Sequence, residues 1–121
     1  MKVIIAGSRT IDDYKLVVDT INSSCYIITE VVSGTAVGVD RLGERWALAN
    51  NIPVKEMPAD FGKYGKSAGP RRNKEMAEYA DAAIIIWDGE SRGTRNMIEN
   101  MIRRKKPYFI GMTSATLKDF I

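Results

Sequence analysis

The segment AAIIIWDGESRGT, residues 82–94, contains the pattern of strand, turn and helix from which the fold follows. Its first part, 82–87, predicts a buried strand because the apolar run is short, continuous and followed by turn residues. Two glycines and two small hydroxyl residues then turn the chain, and a helix is predicted to begin near Ser91. Backbone N–H groups at a helix start favour an anion, and glycines let a ligand approach closely. The segment therefore predicts a phosphate cradle, although an ordinary strand-to-helix turn with a serine cap fits it about equally well.

The rest of the chain repeats this alternation. Short apolar runs predict strands at 2–6, 29–33, 54–57, 82–87 and 107–111. Apolar residues at helical spacing predict helices around 16–21 and at 37–51, 70–79 and 94–103, with a further helical turn in the tail at 114–121. The pattern predicts a three-layer, Rossmann-like α/β fold. It has a five-stranded parallel sheet with helices on both faces, in a single domain over residues 1–121.

The composition is that of a soluble globular protein, with 45% hydrophobic and 27% charged residues. The formal net charge of +3 suits a phosphate-bearing ligand and does not require a nucleic-acid partner. The single cysteine, Cys25, rules out an internal disulfide and is consistent with a cytoplasmic protein. The chain has no histidine, which excludes His-based triads and His-ligated metals. No apolar run approaches membrane-spanning length, so no membrane partner is expected.

Four turns follow the predicted strands, and each carries glycine or small hydroxyl residues. In open parallel sheets, ligands bind beyond the carboxyl ends of the strands, where the strand order reverses. The four turns are therefore expected to meet in one anion-binding site. The residues expected to hold its ligand are Gly7, Ser8, Arg9, Ser33, Gly34, Gly38, Asp40, Arg72, Asn73, Asp88, Ser91, Arg92, Gly93 and Thr94.

Several residues near this site also have a purely structural interpretation. Arg9 could clamp a phosphate through two parallel hydrogen bonds, or it could be a solvated turn residue. Asp40 lies in the first turn of its predicted helix, where it either complements the helix dipole or binds a sugar hydroxyl. The segment 58–69 is expected to be a long, irregular and functional loop. Its Phe61 and Tyr64 could stack on a base or be buried against the core.

Four blocks of the sequence resemble the YspA, cpYpsA-related branch of the SLOG superfamily. They are Gly7-Ser8-Arg9, VVSGTAVGVDRLGERWA at 31–47, PADFGKYGKSAGPRRNKEM at 58–76 and WDGESRGT at 87–94. The superfamily also contains LOG-type phosphoribohydrolases, DprA single-strand DNA-binding proteins and nucleotide-signal sensors. The resemblance implies a Rossmann-like fold and a pocket for a nucleotide or a nucleotide-derived molecule such as an ADP-ribose derivative. It also implies a bacterial or phage source.

The LOG enzymes combine an arginine on the third helix with a glutamate in a Gly-Gly-x-Gly-Thr-x-x-Glu motif. The resemblance assigns the arginine to Arg72. The segment 91–94 matches the glycine-threonine core of the motif, but Met97 stands at the glutamate position. Glu99, two residues later, would point to a different side of the helix. A hydrolase would therefore have to use Glu99 or Glu75 as its carboxylate, with Arg72 holding the phosphate.

Two main functions follow. One is capture of a nucleotide-derived small molecule without turnover, and the other is hydrolysis of the N-glycosidic bond in such a ligand. Single-stranded nucleic-acid binding ranks last, because only Phe61 and Tyr64 offer stacking surfaces. No cofactor or metal site is expected, although Mg²⁺ could bridge ligand phosphates to Asp88. A homodimer through the second and fourth helices is permitted but not required.

Overall fold

Five parallel strands form the sheet of this protein. The computed structural model describes residues 1–112, and its strands are β1 (Lys2–Gly7), β2 (Glu30–Ser33), β3 (Val54–Glu56), β4 (Ala82–Trp87) and β5 (Tyr108–Met112). Their order across the sheet is β3-β2-β1-β4-β5, and each neighbouring pair is parallel. Each strand lies within one residue of its predicted ends. The predicted five-stranded parallel sheet is confirmed.

Helices cover both faces of the sheet. They are α1 (Tyr14–Ser24), α2 (Val39–Ala49), the single turn α3 (Phe61–Tyr64), α4 (Ala68–Tyr79) and α5 (Arg92–Arg103). Side chains of α1 and α2 pack in one hydrophobic cluster against the sheet, and side chains of α4 and α5 pack in a second cluster on the other face. This confirms the three-layer α/β architecture. The predicted helical turn at 114–121 lies outside the described residues.

The two clusters explain why the central strands are apolar throughout. Val3 and Ile5 belong to the cluster with α1 and α2, whereas Ile4 belongs to the cluster with α4 and α5. All three side chains are fully buried. Successive side chains of a strand point to opposite faces, so a strand covered on both sides must be apolar at every position.

The segment 58–69 differs from its prediction as an irregular loop. It contains α3, a 3₁₀ turn at Gly65–Ser67 and the first residues of α4. Asp60 starts α3, because its side chain accepts a hydrogen bond from the N–H of Lys63 at 3.0 Å. The glycines that suggested a loop lie within or next to these short helical turns. The prediction of a long irregular stretch was therefore wrong.

A lysine holds the far end of α4, the helix that carries Arg72. Lys106 Nζ donates to the backbone carbonyls of Ala77, Glu78 and Ala80 at 2.8, 2.9 and 2.7 Å. These carbonyls lie at the C-terminal end of the helix, where a cation is favoured by the helix dipole. The contact fixes α4 against the segment that leads into β5.

The strand order places the expected site next to β1. From β1 the chain first builds β2 and β3 on one side, and then returns to build β4 and β5 on the other. The order therefore reverses between β1 and β4, and a crevice is expected beyond their carboxyl ends.

Within the described part of the chain, none of the helices is both long and apolar enough to cross a membrane.

Candidate functional site

A small cavity, called here the inner compartment, lies where the strand order reverses. Its volume is about 70 Å³. The predicted site residues that line it are Gly7, Arg9, Gly34, Asp40, Arg72, Asn73, Ser91, Gly93 and Thr94. These residues come from four turns that are distant in sequence. The expected convergence of the turns at one edge of the sheet is therefore observed, while their role in binding a ligand stays a prediction.

The N-terminus of α5 forms one wall of the inner compartment. Ser91 caps the helix, since its Oγ accepts from the N–H of Thr94 at 3.4 Å and from the Thr94 hydroxyl at 3.0 Å. The first intrahelical bond runs from Arg95 N to Ser91 O at 3.1 Å. The N–H groups of Arg92 and Gly93 precede that bond, so the helix itself offers them no acceptor. N–H groups of this kind at a helix start can donate to an anion.

The turn before α5 is held by its own hydrogen bonds. Asp88 Oδ1 accepts from the N–H groups of Glu90 and Ser91 at 2.8 and 2.9 Å. Burial alone would raise the pKa of Asp88, but these donors and the Ser8 hydroxyl outweigh it and lower the pKa. Trp87 Nε1 donates to Ser91 O at 3.2 Å. The helix start is thus fixed before any ligand arrives.

Arg72 also lines the inner compartment, and its orientation is set by two hydrogen bonds. Its Nη1 donates to Gly34 O, and its Nε donates to Asn73 Oδ1 at 3.0 Å. Asn73 is buried, and its Nδ2 donates to Gly93 O at 3.2 Å and to Asn96 Oδ1 at 3.0 Å. Asn73 therefore ties α4 to the start of α5. As a result, the guanidinium group of Arg72 and the N-terminus of α5 keep a fixed separation.

Gly34 leaves room for the side chains of both Arg72 and Asp40 beside the backbone. A β-carbon at position 34 would lie 2.6 Å from Arg72 Nη1 and 2.8 Å from Asp40 Oδ2, closer than real side chains come. Asp40 Oδ2 in turn accepts from the N–H of Ala36 at 3.1 Å. The loop between β2 and α2 therefore hydrogen-bonds to both side chains: the N–H of Ala36 donates to Asp40, and the carbonyl of Gly34 accepts from Arg72.

The pKa of Asp40 is raised to about 6, primarily because the carboxyl group is buried. Hydrogen bonding from Ala36 and the charges of Arg72 and Arg9 act in the opposite direction without restoring the ordinary value. Burial also lowers the pKa of Arg72, and the nearby Asp40 opposes that effect. Burial penalises both charged forms. The site therefore holds a carboxyl group whose charge changes near pH 6.

Asp40 should make stability fall as the pH rises from about 4 to about 6. In that range the carboxyl group is protonated in the folded protein but ionised in the unfolded chain. Unfolding therefore releases a proton and becomes more favourable as the pH rises. Asp40→Asn stays neutral and lacks this effect. Urea denaturation from pH 4 to pH 7 should show the variant gaining stability relative to wild type by up to about 3 kcal/mol. Parallel pH profiles for the two proteins would contradict the assignment.

Other predicted site residues lie outside the inner compartment. Ser8 is buried, and its Oγ accepts from the Asp88 N–H at 3.0 Å, which joins the ends of β1 and β4. Ser33 donates to the Glu44 carboxylate, and Gly38 has a φ of 82° directly against the backbone of Arg9. These residues, together with Asp88, do not line the compartment, but their contacts help to fix the segments that form it. The side chain of Arg92 is exposed.

The two glutamates considered as catalysts do not reach the compartment. Glu75 and Glu99 are both exposed, and neither lines the cavity. The lining contains Asp40 as its carboxylate among the described residues. A hydrolytic role for Glu75 or Glu99 therefore has no support from the geometry.

Four apolar or small residues of the lining were not predicted: Ala6, Ala36, Met76 and Met97. Met76 follows Asn73 by three residues on α4, and Met97 follows Thr94 by three residues on α5. Residues at this spacing share a helix face. The signal was therefore present in the spacing from two predicted site residues. Met97 is 2% exposed, so the position of the LOG glutamate faces the compartment but carries a thioether.

A second cavity, called here the outer compartment, opens beside the inner one. Its volume is about 290 Å³, and its lining residues are Arg9, Gly34, Thr35, Ala36, Val37, Pro58, Ala59, Phe61 and Arg72. Arg9, Gly34, Ala36 and Arg72 belong to both compartments. A ligand could therefore extend from one into the other past two guanidinium groups.

No metal centre is evident in residues 1–112, where no three His, Cys, Asp or Glu side chains lie close enough together to hold an ion. Asp88, considered as a bridge to Mg²⁺, does not line the inner compartment. Ligand-bound Mg²⁺ stays a prediction.

Comparison with known proteins adds the family. The model of the YspA, cpYpsA-related SLOG family matches residues 1–64, which is more than half of the chain. The chain belongs to the YspA, cpYpsA-related SLOG family. The matched part of this SLOG protein includes β1, the loop before α2 and Phe61, while Arg72 and the start of α5 lie beyond it. Neither a curated protein nor a solved structure matches the chain.

Proposed function

We propose that this SLOG protein captures a phosphate-bearing, nucleotide-derived small molecule in the inner compartment and does not turn it over. The observation that carries the proposal is that Arg72 and the N-terminus of α5 line the same small cavity. A guanidinium group and helix N–H groups without a helical acceptor both bind an anion more strongly than a neutral group. Family membership is consistent with a nucleotide-related ligand.

The size of the compartment supports an anionic head group at this position. A volume of about 70 Å³ is far below the roughly 300–1,000 Å³ of sites that enclose a whole small-molecule ligand. Only part of a nucleotide would fit. The polar donors of this compartment would hold the phosphate, and the rest of the molecule would extend outward past Arg9.

The lining favours capture over hydrolysis. Met97 stands at the position of the LOG glutamate and is buried in the compartment wall. A thioether cannot deprotonate or position water as a carboxylate does. Asp40 is the observation that favours the second candidate, glycosidic hydrolysis, because it is a carboxyl group within the lining. Hydrolysis predicts steady release of free base from AMP or ADP-ribose, and loss of that release in Asp40→Asn. Saturable binding with no product supports capture.

Gly93→Val tests the cradle directly. A β-carbon at Gly93 meets nothing within 4 Å, so the variant should fold. The added side chain should occupy the space in front of the α5 N-terminus and weaken AMP binding at least about tenfold by calorimetry, which corresponds to about 1.4 kcal/mol.

Gly62→Val is the control for this test. Gly62 is the second residue of α3, as Gly93 is of α5, and a β-carbon there would make only an ordinary contact, 3.6 Å from Asp60 Oδ1. It does not line either compartment. The control should bind AMP like wild type. Equal affinity of the two variants would remove the α5 N-terminus from the site.

A further inference from the structure

The outer compartment has an apolar wall that is left open to solvent. Phe61 and Val37 are 57% and 64% exposed, and both line it together with Pro58 and Ala59. Single exposed apolar residues are common on protein surfaces. Here two of them face the same cavity from different segments, the loop before α2 and the start of α3. The cavity is thus shaped to receive an apolar group of moderate size.

Its connection to the inner compartment limits what that group can be. Arg9 and Arg72 line both compartments, so the apolar side chains of the outer compartment lie next to the guanidinium groups that also face the inner one. Within residues 1–112 the Arg9 guanidinium makes no hydrogen bond to another side chain or carbonyl, so its donors are available to a ligand. A molecule that fills both must carry an anionic end and an apolar, preferably flat, end.

We propose that the outer compartment binds the aromatic ring of the ligand, stacked on the side chain of Phe61. This inference rests on the proposed function, in which the phosphate occupies the inner compartment. In the bound ligand, Arg72 and the α5 N-terminus hold the phosphate, and Arg9 lies at the junction between the compartments. The ring occupies the outer compartment.

The lining also predicts weak discrimination between rings. Val37, Pro58, Ala59 and Phe61 offer no side-chain donor or acceptor to the edge of a base, and Thr35 adds a single hydroxyl group to the lining. Selectivity between bases needs hydrogen bonds that leave a wrong partner unsatisfied. Stacking tolerates any base, because each one presents a flat π surface. Purine and pyrimidine nucleotides should therefore both bind, with the larger purine ring bound more tightly.

Phe61, rather than Tyr64, is the stacking residue. Tyr64 was a candidate on sequence grounds, yet it does not line the outer compartment. Its ring is in contact with cations instead, with Arg71 at 4.5 Å and Lys63 at 5.1 Å from the ring centroid. The two aromatic side chains lie on the same single helical turn, so Tyr64 provides a matched control.

The experiment compares AMP, CMP and ribose 5-phosphate by calorimetry in wild type, Phe61→Ala, Phe61→Trp and Tyr64→Ala. Wild type should prefer AMP to ribose 5-phosphate. Base–aromatic stacking of about 1–3 kcal/mol corresponds to roughly 5- to 150-fold in affinity. Phe61→Ala should reduce the AMP preference by that factor, Phe61→Trp should retain it, and Tyr64→Ala should leave it at the wild-type value.

Each outcome is decisive. Equal wild-type affinity for AMP and ribose 5-phosphate overturns the ring site while leaving phosphate capture intact. The same holds if Phe61→Ala and Tyr64→Ala reduce the preference equally. A strong preference of AMP over CMP that survives Phe61→Ala points to base reading elsewhere, and also overturns it. If none of the three probes binds, the proposed function itself is contradicted.

Discussion

Arg72→Ala should weaken AMP binding by roughly 10- to 150-fold, because the ligand loses a charge-assisted contact of about 1.5–3 kcal/mol. The guanidinium group is already oriented by Gly34 O and Asn73 Oδ1, so its contribution needs little rearrangement on binding. Preorganised donors lose less entropy when they engage a ligand. Calorimetric titration of AMP into wild type and variant measures the effect.

Arg71→Ala is the control for this prediction. Arg71 is adjacent in sequence but exposed, with its guanidinium over the Tyr64 ring and its Nε donating to Ser67 Oγ at 3.2 Å. Its removal should leave AMP affinity within about twofold of wild type, since Arg71 lines neither compartment and an exposed charge is largely screened. Equal losses in the two variants would mean that the arginines act only through net charge.

The positive charge of Arg72 favours the ionised form of the buried Asp40, so the alanine variant is expected to lose stability as well as affinity. Without a nearby cation, a buried carboxylate is more costly to keep charged. Arg72→Lys keeps the positive charge but loses the planar fork that contacts a phosphate with two parallel bonds. It should fold normally and bind AMP with intermediate affinity. Wild-type affinity in a folded Arg72→Lys would argue for a simple point-charge interaction.

Gly7→Ala should destabilise the protein by about 3 kcal/mol or more. A β-carbon at Gly7 would lie 2.0 Å from the carbonyl oxygen of Ile86 and 2.8 Å from Val39 Cγ2. Ile86 is part of the neighbouring strand β4, so the clash is with backbone and cannot be relieved by a side-chain rotation. Overpacking in a tight core typically costs about 1–3 kcal/mol, and a backbone clash lies at or above that range.

Gly93→Ala makes the comparison specific. Both glycines line the inner compartment, but a β-carbon at Gly93 meets open space. Alanine in a helix is favoured over glycine by roughly 0.5–1 kcal/mol, so this variant should be slightly more stable than wild type. Urea denaturation of both variants measures the difference. A Gly7→Ala variant as stable as wild type would mean that β1 and β4 are not packed as closely as described.

The fold was predictable because its signals are local. The apolar runs that form β1 and β4 are buried on both faces, which gives continuous apolar sequence with no alternation. The position of the site followed from one topological rule, that ligands of open parallel sheets bind beyond the strand ends. To bring the turns to one edge, that rule needs only parallel strands, whose carboxyl ends all lie at the same edge of the sheet. It therefore placed Gly7, Gly34 and Gly93 at one edge of the sheet before any distance was known.

The identity of the inward-facing side chains was less predictable. Ser8 and Ser33 look like ligand donors in sequence, but their hydroxyl groups are engaged with Asp88 and Glu44. The spacing from Thr94 indicated which face of α5 carries Met97, but whether that face lines the cavity depends on how α5 packs against the sheet. The placement of Phe61 beside the outer compartment depends on α3, a single turn whose glycine and aromatic content suggested a loop.

The most direct test is to follow backbone amide chemical shifts by NMR during titration with AMP. The largest changes are expected on the amides of Gly34, Ala36, Arg92 and Gly93, since these residues line or border the inner compartment. Smaller changes should extend to Val37 and Phe61. Changes confined to α1 or to the outer edge of β5, or none at saturating AMP, would contradict this expectation.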